Sequence, residues 1–161
     1  LPISSRSLNA ELAADDYAAA LEQVAVSTTK KLVTMLDKLP LFEGVPDYET
    51  QLLADAVRPA VFQAGESVVV QGARGDALFV IVRGQATVTS KAGDELATLG
   101  AGDCFGELAI VFGVPRQATV VATEILSTVA ISAAKFREIF NERDERLRAN
   151  ATAIYDKEFG K

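Results

Sequence analysis

Between Ala10 and Leu39 the apolar residues Leu21, Val24, Leu32, Met35, Leu36 and Leu39 recur at helical spacing and keep to one face. The β-branched, hydroxyl-bearing stretch Val26–Thr29 is expected to divide that helix in two, and Pro40 to end it. A short second helix is expected after Pro46-Asp47, capped by Asp47, with Leu52, Leu53 and Ala56 as its buried stripe. From about Arg58 to Ser132 the pattern changes. Val68–Val70, Leu78–Val82, Ala86–Thr89, Leu96–Leu99, Thr119–Ala122 and Leu126–Ile131 are short β-branched runs. Turn signals separate them, among them Ala64-Gly65-Glu66, Gly72–Asp76, Arg83-Gly84, Gly93-Asp94 and Gly100–Asp103. Strands broken by turns about every 8–12 residues describe a small β-sandwich or barrel. After Ser132 the helical spacing returns in Phe136, Ile139 and Phe140, and again in Leu147, Ala151, Ile154 and Tyr155, with the charged stretch Asn141–Arg148 between them. The predicted fold class is α+β, an eight-stranded antiparallel β-barrel of jelly-roll type flanked by N-terminal and C-terminal α-helices. Residues 1–57 form the N-terminal helical bundle, 58–131 the barrel and 132–161 the C-terminal helices, one domain overall.

Composition narrows the function. With 161 residues, 49% of them apolar, the chain can bury a core of its own. The longest apolar runs, Ala77–Val82 and the Gly-interrupted Leu108–Val114, fall far short of the ~18–20 residues a membrane helix needs. The first residue is Leu rather than Met, and the chain is expected to be part of a longer protein. Sixteen Lys and Arg against 22 Asp and Glu leave a net charge of -6, the wrong sign for a nucleic-acid surface. There is no His, which removes the Ser-His-Asp and Cys-His mechanisms and His-based metal sites. The single Cys104 has no internal disulfide partner and no base to activate it. It reads as a small packing residue, in keeping with a reducing, cytoplasmic compartment. No enzyme chemistry, metal or cofactor is expected.

One segment breaks the alternation. Residues 105–119, Phe-Gly-Glu-Leu-Ala-Ile-Val-Phe-Gly-Val-Pro-Arg-Gln-Ala-Thr, lie between two strand signals and are too long for a hairpin turn. They carry one acid, Glu107, and one base, Arg116, in apolar surroundings. A buried ion pair is one reading. The other starts from Gly106, which lets the backbone approach a ligand closely before a short helical turn whose amides attract an anion. Arg116 then completes a phosphate cradle with a bidentate fork. Glu107 fits the same pocket if the ligand also offers a hydroxyl, as a 3′,5′-cyclic nucleotide does through its ribose 2′-OH.

The segment resembles the phosphate-binding cassette of the cyclic nucleotide-binding domain family, with the form F-G-E-L-A, five residues, P-R-x-A-T. Every fixed position is present. The resemblance extends from Leu41-Phe42 through Gly65-Glu66, Gly72, Gly75-Asp76, Phe79-Val80-Ile81 and Gly84 to about Phe140. Within the family it is strongest toward the regulatory subunits of cyclic-AMP-dependent protein kinase. It implies that Arg116 holds the exocyclic phosphate oxygens, that Glu107 accepts the ribose 2′-hydroxyl, and that Gly106 and the amides of Leu108, Ala109, Gln117 and Ala118 complete the cradle. Arg116→Lys is expected to weaken binding, since a point charge does not reproduce the fork. Gly72, Gly75 and Gly84 are expected to be turn glycines with positive φ, Asp76 a turn cap, and Phe79, Val80 and Ile81 core. At Gln117 the family places Thr or Ser with cyclic GMP and Ala with cyclic AMP; Gln matches neither, and cyclic AMP is favoured from the rest of the cassette.

The resemblance further implies that the C-terminal helices act as hinge and lid, with Tyr155 first and Phe159 second as the residue that caps the base. Arg146 and Arg148 either pair with Glu107 or lie on a solvated helix face. The implied function is a cyclic nucleotide sensor that regulates other domains of the same chain or a kinase catalytic subunit. A cyclic GMP sensor and a non-binding interaction or dimerisation module of the same fold are the alternatives.

Overall fold

Helix α1, Thr29–Asp37, places Leu32 and Leu36 on one buried face, and Leu39 is buried just beyond its end. The computed structural model describes residues 29–140 and 144–158, so the predicted helical stretch from Ala10 to Val24 lies outside the described residues. Pro40 does more than end the helix: it opens a 3-10 turn, Pro40–Phe42, that buries Leu41 and Phe42. Helix α2, Asp47–Ala56, is preceded by Pro46, with no side-chain cap. Asp47 is therefore its first residue and not its cap. Its buried positions are Thr50, Leu53 and Ala54, whereas Leu52 is half exposed. The expected stripe was displaced because each residue turns a helix by about 100°, so the choice of buried face depends on what packs against it.

The strands form two antiparallel four-stranded sheets. One has the order β1 (Arg58–Phe62), β8 (Leu126–Ser132), β3 (Ala77–Arg83), β6 (Cys104–Phe105). The other has the order β2 (Ser67–Val69), β7 (Thr119–Ala122), β4 (Ala86–Thr89), β5 (Glu95–Leu99). The architecture is a β-sandwich with flanking helices, not the closed barrel expected. Among the described residues no ladder joins the edge strands of one sheet to those of the other, and the two residues of β6 and three of β2 are too short to carry one around the corner. Two strands escaped the sequence pattern. β1 contains Pro59, tolerated because β1 is an edge strand paired only with β8. β6 makes only two register pairs with β3.

Strand β3 reads as a continuous apolar run because both of its faces are covered, and β8 beside it is buried on both faces too, with Ser127 and Thr128 among its buried residues. Phe79 and Ile81 of β3 join Phe62, Val69, Phe105, Val120 and Leu126 between the sheets. Phe79 sits at the centre, stacked on Phe105 at 5.2 Å and edge-on to Phe62 at 6.0 Å. Leu78 and Val80 point the other way, with Val129 and Ile131, into a second core closed by the helices. There Phe42 meets Phe136 at 6.4 Å and Phe140 at 6.1 Å, joining the 3-10 turn to helix α4, Ala133–Ile139. Ser132 caps α4 by accepting a hydrogen bond from the Lys135 amide at 3.0 Å.

A six-residue helix, α3 (Glu107–Phe112), follows β6. The last helix, α5 (Glu145–Glu158), buries Leu147, Ala151 and Ile154 against this second core. Asp144 begins it, accepting from the amides of Arg146 at 3.1 Å and Leu147 at 3.3 Å. No helix among the described residues is long and apolar enough to cross a membrane.

Candidate functional site

The crossing from one sheet to the other, between β6 and β7, builds the site. Gly106 ends β6 with φ 89°, a left-handed turn that starts α3 abruptly. It is Gly for a second reason: a Cβ there would lie 2.6 Å from Arg116 Nη1 and 3.1 Å from the Ala77 carbonyl oxygen. Gly113, with φ 68°, closes α3 by donating its amide to the Ala109 carbonyl at 2.9 Å. The returning chain is then pinned to the loop before β3. The Arg116 amide donates to the Ala73 carbonyl, and the Gly72 amide to the Arg116 carbonyl, both at 2.9 Å. The Gln71 amide donates to Thr119 Oγ1, also at 2.9 Å. These backbone bonds fix where the Arg116 side chain enters.

Arg116 is 6% exposed and Glu107 7% exposed, so an acid and a base are buried within one short segment. Arg116 Nη1 donates to the Gly106 carbonyl at 3.2 Å and Nη2 to the Ala77 carbonyl at 2.9 Å. Those bonds engage two of the five guanidinium N–H groups. Asp76 Oδ1 lies 3.9 Å from Nη2, an ion-pair distance but too long for a hydrogen bond. Burial lowers the Arg116 pKa from its ordinary value, opposed by the negative charges of Asp76 and Glu107. The group stays protonated, a cation held partly desolvated and with hydrogen-bonding capacity to spare.

Beside it is a cavity of ≈ 340 Å³, within the usual range of ~300–1,000 Å³ for small-molecule sites. Gly106, Glu107, Leu108, Ala109, Arg116, Gln117 and Ala118 all line it. The seven cradle positions named from the sequence thus converge on one space. The opposite wall is apolar, with Val69 of β2, Val88 of β4 and Leu96, Ala97 and Leu99 of β5. Sequence reasoning did not name this wall, because only the pairing of β4 with β5 brings it there. Cys104 lines the cavity and packs against the helical core, as a small apolar residue would. Gln117 Nε2 donates to the Pro115 carbonyl at 2.9 Å. Among the described residues no group of three metal-ligating side chains is present.

Three expectations change. Gly75 is not a positive-φ turn glycine like Gly72 and Gly84. A Cβ at Gly75 would collide with the Ala109 side chain and lie 3.2 Å from Arg116 Cζ, so its bareness lets the cassette close up. Asp76 meets Arg116 with its carboxylate, while its carbonyl accepts from the Ala133 amide at 2.8 Å.

The lid also differs. Tyr155 is 39% exposed and is absent from the cavity wall, where Lys157 stands instead. The cause is helix rotation: Ile154 faces the core, Tyr155 is turned about 100° from it, and Lys157 returns to a neighbouring face. Phe159 lies outside the described residues. Arg146 and Arg148 anchor the last helix. Arg146 Nη1 donates to the Gly44 carbonyl at 3.0 Å, and its Nη2 pairs with Glu49 at 3.4 Å. Arg148 Nη1 donates to the Val111 carbonyl at 3.4 Å, with its guanidinium 5.2 Å from the centre of the Phe112 ring.

A sequence model of the cyclic nucleotide-binding domain matches residues 59–143. The cAMP-dependent protein kinase regulatory subunit of Yarrowia lipolytica is 34% identical over 116 residues, 71% of this chain and 31% of that protein. The chain therefore spans about a third of that curated relative. Among solved structures, the regulatory domain of Toxoplasma gondii PKA co-crystallised with cAMP has a TM-score of 0.66 and 28% identity, covering 86% of this chain and 55% of that one. A second PKA regulatory domain, CBD2 bound to Sp-2Cl-cAMPS, has a TM-score of 0.66 and 26% identity, covering 80% and 87%.

Proposed function

The chain belongs to the cyclic nucleotide-binding domain family, and from that membership we propose that its cavity binds a 3′,5′-cyclic nucleotide, cyclic AMP first, as the regulatory module of a larger signalling protein. The observation that carries the reading is Arg116, a buried cation with unspent N–H groups at the wall of a cavity it shares with Glu107. An anion repays the desolvation of such a group with charge-assisted bonds, each contributing ~1.5–3 kcal/mol. Glu107 beside it excludes a highly charged ligand and favours one that also brings a hydroxyl donor. The two similar structures, one with cAMP and one bound to Sp-2Cl-cAMPS, support cyclic AMP over cyclic GMP.

In this reading α4 and α5 transmit occupancy. The cassette helix α3 touches α5 through Arg148, and α5 in turn is tied to the 3-10 turn through Asn150 and to α2 through Arg146. A typical allosteric coupling of ~1–3 kcal/mol is of the size such a handful of contacts supplies. The receiving partner is a further domain of the same chain or a kinase catalytic subunit, in the cytoplasm.

The test is thermal unfolding with cyclic AMP, cyclic GMP and 5′-AMP, on the wild type, Arg116→Ala and Arg116→Lys. Ligand at 100 times its dissociation constant adds ~2.7 kcal/mol, a rise of about 5–10 °C for a domain of this size. Cyclic nucleotides are expected to raise the midpoint, and both variants to blunt the rise. A wild type indifferent to both cyclic nucleotides would overturn the proposal in favour of an interaction module of the same fold.

A further inference from the structure

The Arg116 fork suits an anion, yet the cradle that holds it carries no net charge. Of the side chains that line the cavity, Arg116, Glu107 and Lys157 are charged, and the first two cancel. The Asp76 carboxylate, 3.9 Å from Arg116, adds negative potential nearby. Only with Lys157 does the lining carry a net positive charge. We propose that Lys157 is a ligand-binding residue, its ammonium supplying the positive charge that matches the single negative charge of the cyclic phosphate ester. This rests on the cyclic-nucleotide reading of the cavity.

Three anchors hold α5 where Lys157 reaches the cavity. Asn150 Nδ2 donates to the carbonyls of Leu41 at 2.8 Å and Glu43 at 3.0 Å. Arg146 holds the Gly44 carbonyl at 3.0 Å, and Arg148 holds the cassette helix at the Val111 carbonyl. Leu147, Ala151 and Ile154, buried along one face, fix the rotation of the helix. Lys157, three residues beyond Ile154, is thereby aimed at the mouth. Among the described residues its ammonium makes no ion pair or hydrogen bond, so its charge is not spent on a protein carboxylate. The flexible four-carbon stem gives the ammonium its reach. The chain as a whole is acidic, with a net charge of -6, so a cation at this mouth is not a general property of the surface.

The experiment measures cyclic AMP affinity by calorimetry at about 50 and 300 mM salt for the wild type, Lys157→Gln and Lys157→Glu, with Arg116→Lys alongside. Lys157 is exposed, so ligand-free thermal midpoints are expected to stay at the wild-type value. Removing the charge is expected to weaken binding about two- to five-fold at low salt, and reversing it to weaken binding further. The salt dependence should flatten in Lys157→Gln, a change that a merely structural role would not produce. If both Lys157 variants match the wild type in affinity and salt response while Arg116→Lys binds weakly, Lys157 is not a ligand residue although the cavity is correctly read. If the wild type binds no cyclic nucleotide, the reading of the cavity falls and this inference with it.

Discussion

Gly75 offers a test of how tightly the cassette must close. Its φ is not in the left-handed region, so replacing it with Ala adds no backbone strain; the whole effect is the added Cβ. That atom would overlap the Ala109 side chain and press on Arg116 at 3.2 Å from Cζ and 3.3 Å from Nε. Ala109 has no rotamer to change, so relief requires α3 or the loop before β3 to shift. Overpacking of this kind costs about 1–3 kcal/mol, or roughly 3–10 °C in the midpoint of a domain this size. The shift also moves Arg116. Loss of one charge-assisted bond from its fork, ~1.5–3 kcal/mol, predicts about a ten- to hundred-fold weaker affinity for cyclic AMP. Gly72→Ala is the control. There φ is +86° and nothing lies within 4 Å, so the expected penalty is ~1–2 kcal/mol of left-handed backbone strain with affinity unchanged. Unfolding curves and calorimetric titrations of both variants decide the matter. Adding Ala109→Gly to Gly75→Ala should recover part of the affinity, because it removes the other half of the overlap. The reasoning fails if Gly75→Ala binds like the wild type, or if Gly72→Ala loses affinity by the same factor.

Asn150→Ala strips two carbonyls of a donor at the anchor between α5 and the 3-10 turn. Urea unfolding should show it less stable by about 1–2 kcal/mol with an unchanged m-value. Gln117→Thr should raise the affinity for cyclic GMP relative to cyclic AMP; an unchanged ratio in competition binding would remove Gln117 from base selection. The chain has no His, so no side chain has an unperturbed pKa between pH 5 and 8. Stability should accordingly be flat from about pH 6 to pH 8 in denaturant melts, and a slope there would mean a carboxyl strongly perturbed by folding.

Much of the cradle was legible because it is local. Gly106, Glu107 and Arg116 sit within one continuous segment, and glycine flanking a short apolar helix has few backbone solutions. The strand from Ala77 was legible because burial on both faces leaves an uninterrupted apolar run, and the one from Leu126 through its apolar, β-branched content. The helix after Ser132 was legible in the spacing of Phe136, Ile139 and Phe140, whereas the cap that Ser132 supplies was not read. Strands β1 and β6 were not, since Pro59 and a two-residue pairing carry no periodic signal.

What the sequence determined by itself, then, is the set of groups offered: a buried-type acid and base on a glycine-hinged turn, a strand-rich centre, and amphipathic helices at both ends. What only the tertiary structure decided is which of those groups meet. Gly75 faces Ala109 and Arg116 across the fold, Leu99 of β5 forms a cavity wall, and α5 turns Lys157 rather than Tyr155 toward the cavity. Whether the sheets close into a barrel likewise rests on ladders between strands distant in sequence. The physical reason is the same in each case. Backbone preference and periodicity act over a few neighbouring residues, whereas helix rotation and sheet-edge pairing are set by long-range packing that no local pattern encodes.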